Sequence, residues 1–535
     1  MDSKELKRRS LLKGSLLGGL AAASGAPALA ASKVPSDEHW DDEYDVIVIG
    51  SGTGLLAALM AAKTGKRVLI VEKNSAPGGN SIVSGGVLWI PNNRVMQREG
   101  LRDSRDAARR YIEKLSQGQS SDELIDAFID NGPDMLDYLE ANTAMTFRVS
   151  KLMGDVADYH PEWPGALRKG RSVEPVQPQV ALAGGILVGD MLQAALAAGA
   201  TLLTDCPAEA LHSVQQEEGQ RRVTGVSIRR DGRPQNVRAR EAVLMASGGF
   251  ERNWEMKKHF LRGPSPYTLG TETNTGDGIR MGMALGAALS NMNEAWGLSV
   301  YKGDAEANGQ SRGGISLSAQ IERRNAGCIV VNRHGQRFCN EAADYDVTWR
   351  SYHDWENWGD LGYRNLPAFQ LFDQGYREHY PLAGRTADEA LPDWVQQADT
   401  LEALADKLGI DAGGLTATVE RFNRFAAEGK DPDFHRGESA YDTYGSGDPR
   451  STLGPLSKGP FYGAEVSPAD IGTCGGLKVN GKAEVLDVFD QPIAGLYASG
   501  NTTGVGSPGA LYGGGGGTLG PALTFAYIAG RQLSG

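Results

Sequence analysis

Residues 44–73 read YDVIVIGSGTGLLAALMAAKTGKRVLIVEK, a string that leaves a chain little choice about how its first units fold. DVIVIG is a short apolar run rich in β-branched residues, the pattern of a strand buried on both faces. The Leu/Ala segment from Leu55 has helical period, and RVLIVE is a second buried run, so strand, helix and strand are expected in succession. The turn between the first two holds Gly50, Ser51, Gly52, Thr53 and Gly54. Gly50 suits the tight turn, and Gly52 lets the backbone approach a pyrophosphate whose charge the helix N-terminus stabilises. Glu72 stands 22 residues after Gly50, where a carboxylate for a ribose hydroxyl is expected. The third glycine falls at Gly54, and Leu55 takes its usual place. The segment reads as a dinucleotide-binding unit.

The residues beyond Glu72 separate FAD from NAD. After Lys73 comes a second glycine-rich loop, with Gly78, Gly79, Asn80 and Ser81 and then Ser84, Gly85 and Gly86. A diphosphate joined to a large flat ring needs such a loop, whereas NAD folds continue into another helix. FAD is therefore the expected cofactor. Further contacts are assigned to Pro207, to Ser247, Gly248 and Gly249 at the end of another buried run, and to Asn274, Gly276 and Asp277 before an amphipathic helix. Near the C-terminus the apolar run IAGLYA leads into Gly500 and Asn501, while Gly517 and Leu519 open a last helix with Pro521 in its first turn. That helix end places partial positive charge beside the cofactor.

The chain has 535 residues, longer than a single core usually supports, so more than one domain is expected. A formal charge of −12 gives no basic footprint for nucleic acid. Four scattered cysteines, without a CxxC, give zinc, iron–sulfur and c-type haem no footing. Residues 1–30 carry paired Arg8 and Arg9, a short Gly/Ala/Leu stretch and a small-residue cleavage site. This resembles a twin-arginine export signal, which implies a periplasmic protein exported with its cofactor in place. The apolar stretch is too short and Gly-rich for a stable membrane span.

Glu72-Lys73 with Gly78 to Ser81, NTGDG, VVNRHGQRFCNE, FHRGESAYD and GLYASGN…TLGPALTF together resemble the fumarate reductase and 3-ketosteroid dehydrogenase flavoprotein superfamily over residues 44–533. The resemblance implies an α/β fold: a discontinuous Rossmann-like FAD domain (44–300 and 471–535) around an inserted α+β catalytic domain (301–470). Within it, the dicarboxylate branch places an arginine after RFxNE and His and Arg near the C-terminal glycines. Here Tyr345 stands in place of the first, and GNTTGVGSPGALYGGGGGTLG contains neither of the others. The 3-ketosteroid Δ1-dehydrogenase branch is matched residue by residue instead. Tyr345 matches the base, Tyr159 its assisting phenol, and Tyr512 with Gly516 the pair that grips the ketone. The implied reaction is α,β-dehydrogenation of a steroid-like ketone with an external electron acceptor. A periplasmic reductase of a small unsaturated acid and a non-catalytic flavin carrier are the alternatives.

Five consecutive glycines follow Tyr512, and ordering them is entropically expensive, so something must approach that backbone closely. A phenol base also needs a neighbour that favours its phenolate, because free tyrosine has a pKa of about 10; Tyr159 is expected to supply part of that shift. His353, in SYHDWENW, is expected in a solvent lid.

Overall fold

The strand runs read from the sequence pair into an eight-stranded sheet in a computed structural model that describes residues 39–151, 158–176, 183–216, 220–309, 314–359 and 361–535. Asp42–Ile49 lies parallel between Val68–Val71 and Arg233–Met245, with Ile49 opposite both Val71 and Met245. Pro492–Ala498 adds in parallel beside Arg233–Met245, with Ala498 opposite Met245, and Thr201–Leu203 flanks Val68–Val71. The carboxyl ends of these strands are thus level, which is where parallel α/β sheets bind ligands. The export signal lies outside the described residues.

Val46, Ile47 and Val48 are fully buried, as a strand covered on both faces requires. The helix Leu55–Lys63 is buried from Leu55 to Ala62, so its weak amphipathicity reflects burial all round. The C-terminal helix Leu519–Leu533 crosses it closely: a Cβ on Gly530 would lie 2.5 Å from Met60 Sδ.

A second, six-stranded sheet gathers on the thirteen-residue strand Phe461–Thr473. Ala295–Tyr301, Ala368–Phe372 and Gln396–Ala398 pair with it antiparallel, Tyr267–Thr268 pairs parallel, and Cys328–Asn332 extends the sheet beyond Ala368–Phe372. Strands of the first sheet come from residues 42–245 and 484–498, those of the second from 267–473. The pairing therefore draws Tyr267–Thr268 and Ala295–Tyr301, which begin upstream of the boundary expected at 300, into the second sheet. Leu401–Leu408 and Ala412–Glu428 cover that sheet; Thr400 caps the former by accepting from Ala403 N–H. Trp40–Gly535 packs as one compact unit. Among the described residues no helix is long and apolar enough to cross a membrane.

Candidate active site

A cavity of about 930 Å³ opens at the level strand ends and runs on toward the second sheet. Its floor is the first turn. Gly50 has φ of +102°, and a Cβ there would meet Ala246 O at 2.2 Å, so only glycine fits. Glu72 is buried and accepts from Ser51 Oγ (2.6 Å), Ser51 N–H (3.2 Å) and Asn74 N–H (2.9 Å). Ser51 Oγ in turn accepts from Gly78 N–H at 2.9 Å, tying the first glycine turn to the second loop. Asn80 and Asn274 both donate to Glu251, at 2.7 and 2.6 Å. Burial lifts the Glu251 carboxyl to about 6 against the pull of those amides. Lys73 pairs with Asp277 at 2.6 Å, and both line the cavity.

Of the residues assigned to the cofactor, Gly50, Ser51, Gly52, Thr53, Glu72, Lys73, Gly78 to Ser81, Ser84 to Gly86, Ser247, Gly248, Asn274, Asp277, Gly500, Asn501 and Leu519 line the cavity. Five do not, and each has a packing reason. Gly54 faces Ala246 Cβ, Gly249 faces Thr473 Oγ1, Gly276 faces Met256 Sδ and Gly517 faces Ser507 Oγ, all within 3.0 Å of a Cβ position. Pro207 is held at a strand edge, its carbonyl accepting from Arg229 N–H, and Ala208 lines the cavity instead. Backbone amides at the Gly50–Gly54 turn, an aligned helix N-terminus and a buried carboxylate at the second strand end form a donor set that fits a dinucleotide.

Three phenols meet at the other end. Tyr345 opens the helix Tyr345–Ser351, which Asp344 caps by accepting from Asp346 and Val347 N–H (3.0 and 3.1 Å). Tyr159 is anchored by its N–H to Gly513 O at 3.1 Å. Tyr512 stacks on Tyr159 at 5.6 Å between ring centres and lies 5.2 Å from Tyr345, with Tyr159 and Tyr345 at 5.7 Å. The Tyr512 oxygen accepts from Thr518 N–H (3.3 Å) and Oγ1–H (3.0 Å), at the start of the C-terminal helix. Gly516 N–H has no protein acceptor among the described residues, while Gly516 O accepts from Trp89 N–H. All four line the cavity.

Burial raises the Tyr345 hydroxyl well above the ordinary tyrosine value, and its contacts with the Tyr159 and Tyr512 phenols raise it further. The expected help from Tyr159 toward a phenolate is thus reversed: two buried phenols bonded to one another hold a shared proton more firmly. Burial also raises Tyr512, but the hydrogen bonds from Thr518 oppose it.

The glycine run is shaped by Trp89 as much as by any ligand. A Cβ on Gly514 would lie 2.6 Å from the Trp89 indole, and one on Gly513 2.8 Å from Leu115. Gly516 has φ of +96°, and its Cβ would strike Val87 O at 2.6 Å. Trp89 is itself fixed by Nε1–H donation to Asp158 Oδ1 (2.9 Å), and Asp158 pairs with the buried Arg171.

Behind the phenols lies a buried charged layer. Arg350 pairs with Glu294 (2.6 Å) and Asp346 (3.3 Å), and Asp346 accepts from Tyr512 N–H at 3.3 Å. Burial pushes Asp346 up to about 7 and Asp344 to about 6. It pushes His160, next to Tyr159, down to about 4. His353 does not form a lid: its Nε2 meets Pro264 O at 2.9 Å and its ring packs on Trp349, away from the cavity.

Several residues of the site carry no role in the sequence reading. Tyr441 lies 4.8 Å from Tyr159 and lines the cavity; it sits in FHRGESAYD, where a signal was present without a partner to explain it. Trp296 packs edge-on against Tyr512 at 5.1 Å. Leu298, Ile315, Leu317, Ile321 and Ile471 give the far end apolar walls, and Arg324 and Tyr444 stand among them.

A family model described as FAD binding domain matches residues 45–519. The 4-oxocyclohexanecarboxylate 2-dehydrogenase of Sinomonas cyclohexanicum is 38% identical, with 92% of this chain and 93% of that protein covered. The 3-oxosteroid 1-dehydrogenase of Mycolicibacterium smegmatis is 36% identical, with 92% and 97% covered. The crystal structure of 3-ketosteroid Δ1-dehydrogenase from Sterolibacterium denitrificans, in complex with 1,4-androstadiene-3,17-dione, superposes with a TM-score of 0.83 at 31% identity, covering 92% of this chain and 99% of that one. With a donor set that fits FAD and relatives of this kind along nearly its whole length, the chain belongs to the FAD-binding-domain family and is an FAD-dependent dehydrogenase related to the 3-ketosteroid and oxocyclohexanecarboxylate dehydrogenases.

Proposed function

We propose that the protein dehydrogenates a cyclic ketone between the carbons α and β to its carbonyl, with Tyr345 taking the α proton and Tyr512 and Gly516 holding the carbonyl oxygen. The observation that carries this reading is a Gly516 N–H without a protein acceptor among the described residues, lining the same cavity as a Tyr512 hydroxyl whose oxygen accepts from Thr518. A phenol whose lone pairs accept from Thr518 has its own proton left to donate. Two preorganised donors at one oxygen stabilise a developing enolate by several kcal/mol in a water-poor site. A proton α to a ketone becomes removable only when that oxygen is stabilised. Bound FAD supplies the two-electron acceptor for the hydrogen that leaves the neighbouring carbon. Tyr159, stacked on Tyr512 and in contact with Tyr345, keeps both phenols oriented. The substrates that give the relatives their names, 3-oxosteroids and a 4-oxocyclohexanecarboxylate, share the six-membered ring ketone this site suits. Export by the twin-arginine route and a separate electron acceptor belong to the same reading; the first rests on Arg8 and Arg9 and the short apolar stretch after them.

The test is anaerobic mixing of holoenzyme with saturated 3-ketosteroids, cyclohexanones and small saturated acids, following flavin bleaching. Ring ketones bleach it, and Tyr512→Phe slows bleaching about 100- to 1,000-fold with FAD content unchanged. Equal rates in Tyr512→Phe and wild type would remove the ketone-binding role.

A further inference from the structure

Arg324 follows the short helix Ser318–Glu322 and lines the same cavity as Tyr441 and Tyr444. Its side chain belongs to a residue only 6% exposed. The guanidinium lies over the Tyr441 ring at 4.5 Å and over the Tyr444 ring at 3.9 Å. Nη2–H donates to Tyr441 O at 2.6 Å, and Nε is buried without a hydrogen-bond partner. No carboxylate of a described residue lies within the 4.0 Å of an ion pair.

Other deeply buried arginines of this protein are satisfied differently. Arg171, Arg337, Arg350 and Arg436 each pair with at least one Asp or Glu. Arg323, the immediate neighbour, donates to the carbonyls of Glu341 and Ala343, and Arg377 to those of Arg385 and Glu389. Arg324 alone among these faces the cavity. A buried charge with no carboxylate at ion-pair distance and an unpartnered Nε is expensive, so a closer partner is expected to arrive with the ligand. The two tyrosine faces hold the guanidinium plane fixed, and a planar fork held in this way matches a carboxylate in two-point contact.

We propose that the substrate is a ring ketone bearing one carboxylate, and that Arg324 is the receptor for that carboxylate. The inference rests on the reading of Tyr512 and Gly516 as the ketone end. From the guanidinium, one step of 4.5 Å reaches the Tyr441 ring, another of 4.8 Å reaches Tyr159 and a third of 5.6 Å reaches Tyr512, so a line of packed rings joins the acid receptor to the ketone receptor along one cavity. One carboxylate is the limit. The other lysine or arginine lining the cavity, Lys73, is already paired with Asp277.

The experiment compares a cyclohexanone bearing a carboxylate with its methyl ester and with unsubstituted cyclohexanone, by calorimetric titration and by flavin bleaching. The wild-type holoenzyme binds the acid about 10- to 100-fold more tightly than the ester. Arg324→Gln removes that preference chiefly through KM, and Arg324→Lys restores part of it by returning the charge without the fork. FAD content and thermal midpoint of each variant report folding, and if Arg324→Gln does not fold, the wild-type acid-to-ester ratio decides alone. An ester bound as tightly as the acid would overturn the assignment. If no ketone bleaches the flavin, the proposed chemistry falls, while an Arg324-dependent preference for the acid in the calorimeter would still uphold the receptor.

Discussion

At Tyr345 the phenolate is penalised by burial and again by the neighbouring phenols, so the resting side chain carries its proton. Proton abstraction needs the phenolate, whose fraction rises tenfold per pH unit below its pKa. The rate of flavin bleaching by a saturated ring ketone is therefore expected to climb with pH from about 6 to 9, in a log–log slope approaching one, without the plateau a histidine base would give. Stopped-flow measurement across that range checks it; a profile flat above pH 7 would place the base elsewhere. His160 next door does not alter this, because burial keeps it neutral, with its pKa about 4. The roles of Tyr345 and Tyr512 are suggested by the resemblance, and the sequence holds nothing that reveals their mutual electrostatics. Those depend on ring contacts between segments far apart in the chain.

Two elements frame these residues, and the first is the glycine run. Its sequence announces that something approaches the backbone closely, but a run of glycines does not name its neighbour. For Gly513 and Gly514 the neighbours are the Leu115 and Trp89 side chains. Gly514→Ala forces an overlap with a fully buried indole and is expected to destabilise the protein by about 1–3 kcal/mol. Thermal unfolding of the holoenzyme reads the loss, and an unchanged midpoint would mean that the run can slide off Trp89. The second element is the stretch from Arg337 to Tyr345. Burial would raise Glu341, yet Arg337 and Arg436 hold its carboxyl down at about 2. Because that folded value lies below the unfolded one of 4.5, the pair contributes stability above pH 4.5, which is lost as pH falls toward 2. Glu341→Gln leaves two buried guanidinium groups short of a partner and is expected to lose about 3–5 kcal/mol at neutral pH, measured by denaturant unfolding.

Across the whole molecule the cavity joins loops of the first sheet, which fit the nucleotide, to Tyr159, Tyr345, Tyr512 and Gly516, which fit the ketone, with Leu298 and Ile471 of the second sheet beside them. FAD binds the folded chain at many points and the unfolded chain at none, so the thermal midpoint is expected to rise with free FAD. The gain is about 4 kcal/mol when FAD exceeds its Kd about 1,000-fold, and a midpoint independent of FAD in the apoprotein would contradict it. The first sheet is legible in the sequence because Val46–Ile49 and Val68–Val71 are short continuous apolar runs rich in β-branched residues, set on either side of a glycine turn and a Leu/Ala helix. The second is less so: Ala295–Tyr301 and Phe461–Thr473 are widely separated, and antiparallel pairing over such a gap leaves no local mark. Arg324 is silent in the sequence for the same reason, since an unpaired cation is recognisable only once its surroundings are known.

Stacked between Tyr441 and Tyr444, Arg324 stands apart from the segments that carry Tyr159, Tyr345, Tyr512 and Gly516. A lineage could exchange that outer grip for an apolar one, trading charged metabolites for lipids, and inherit the proton-handling apparatus unaltered. Diversity of diet among such proteins would then accumulate at that end of the cavity, one side chain at a time.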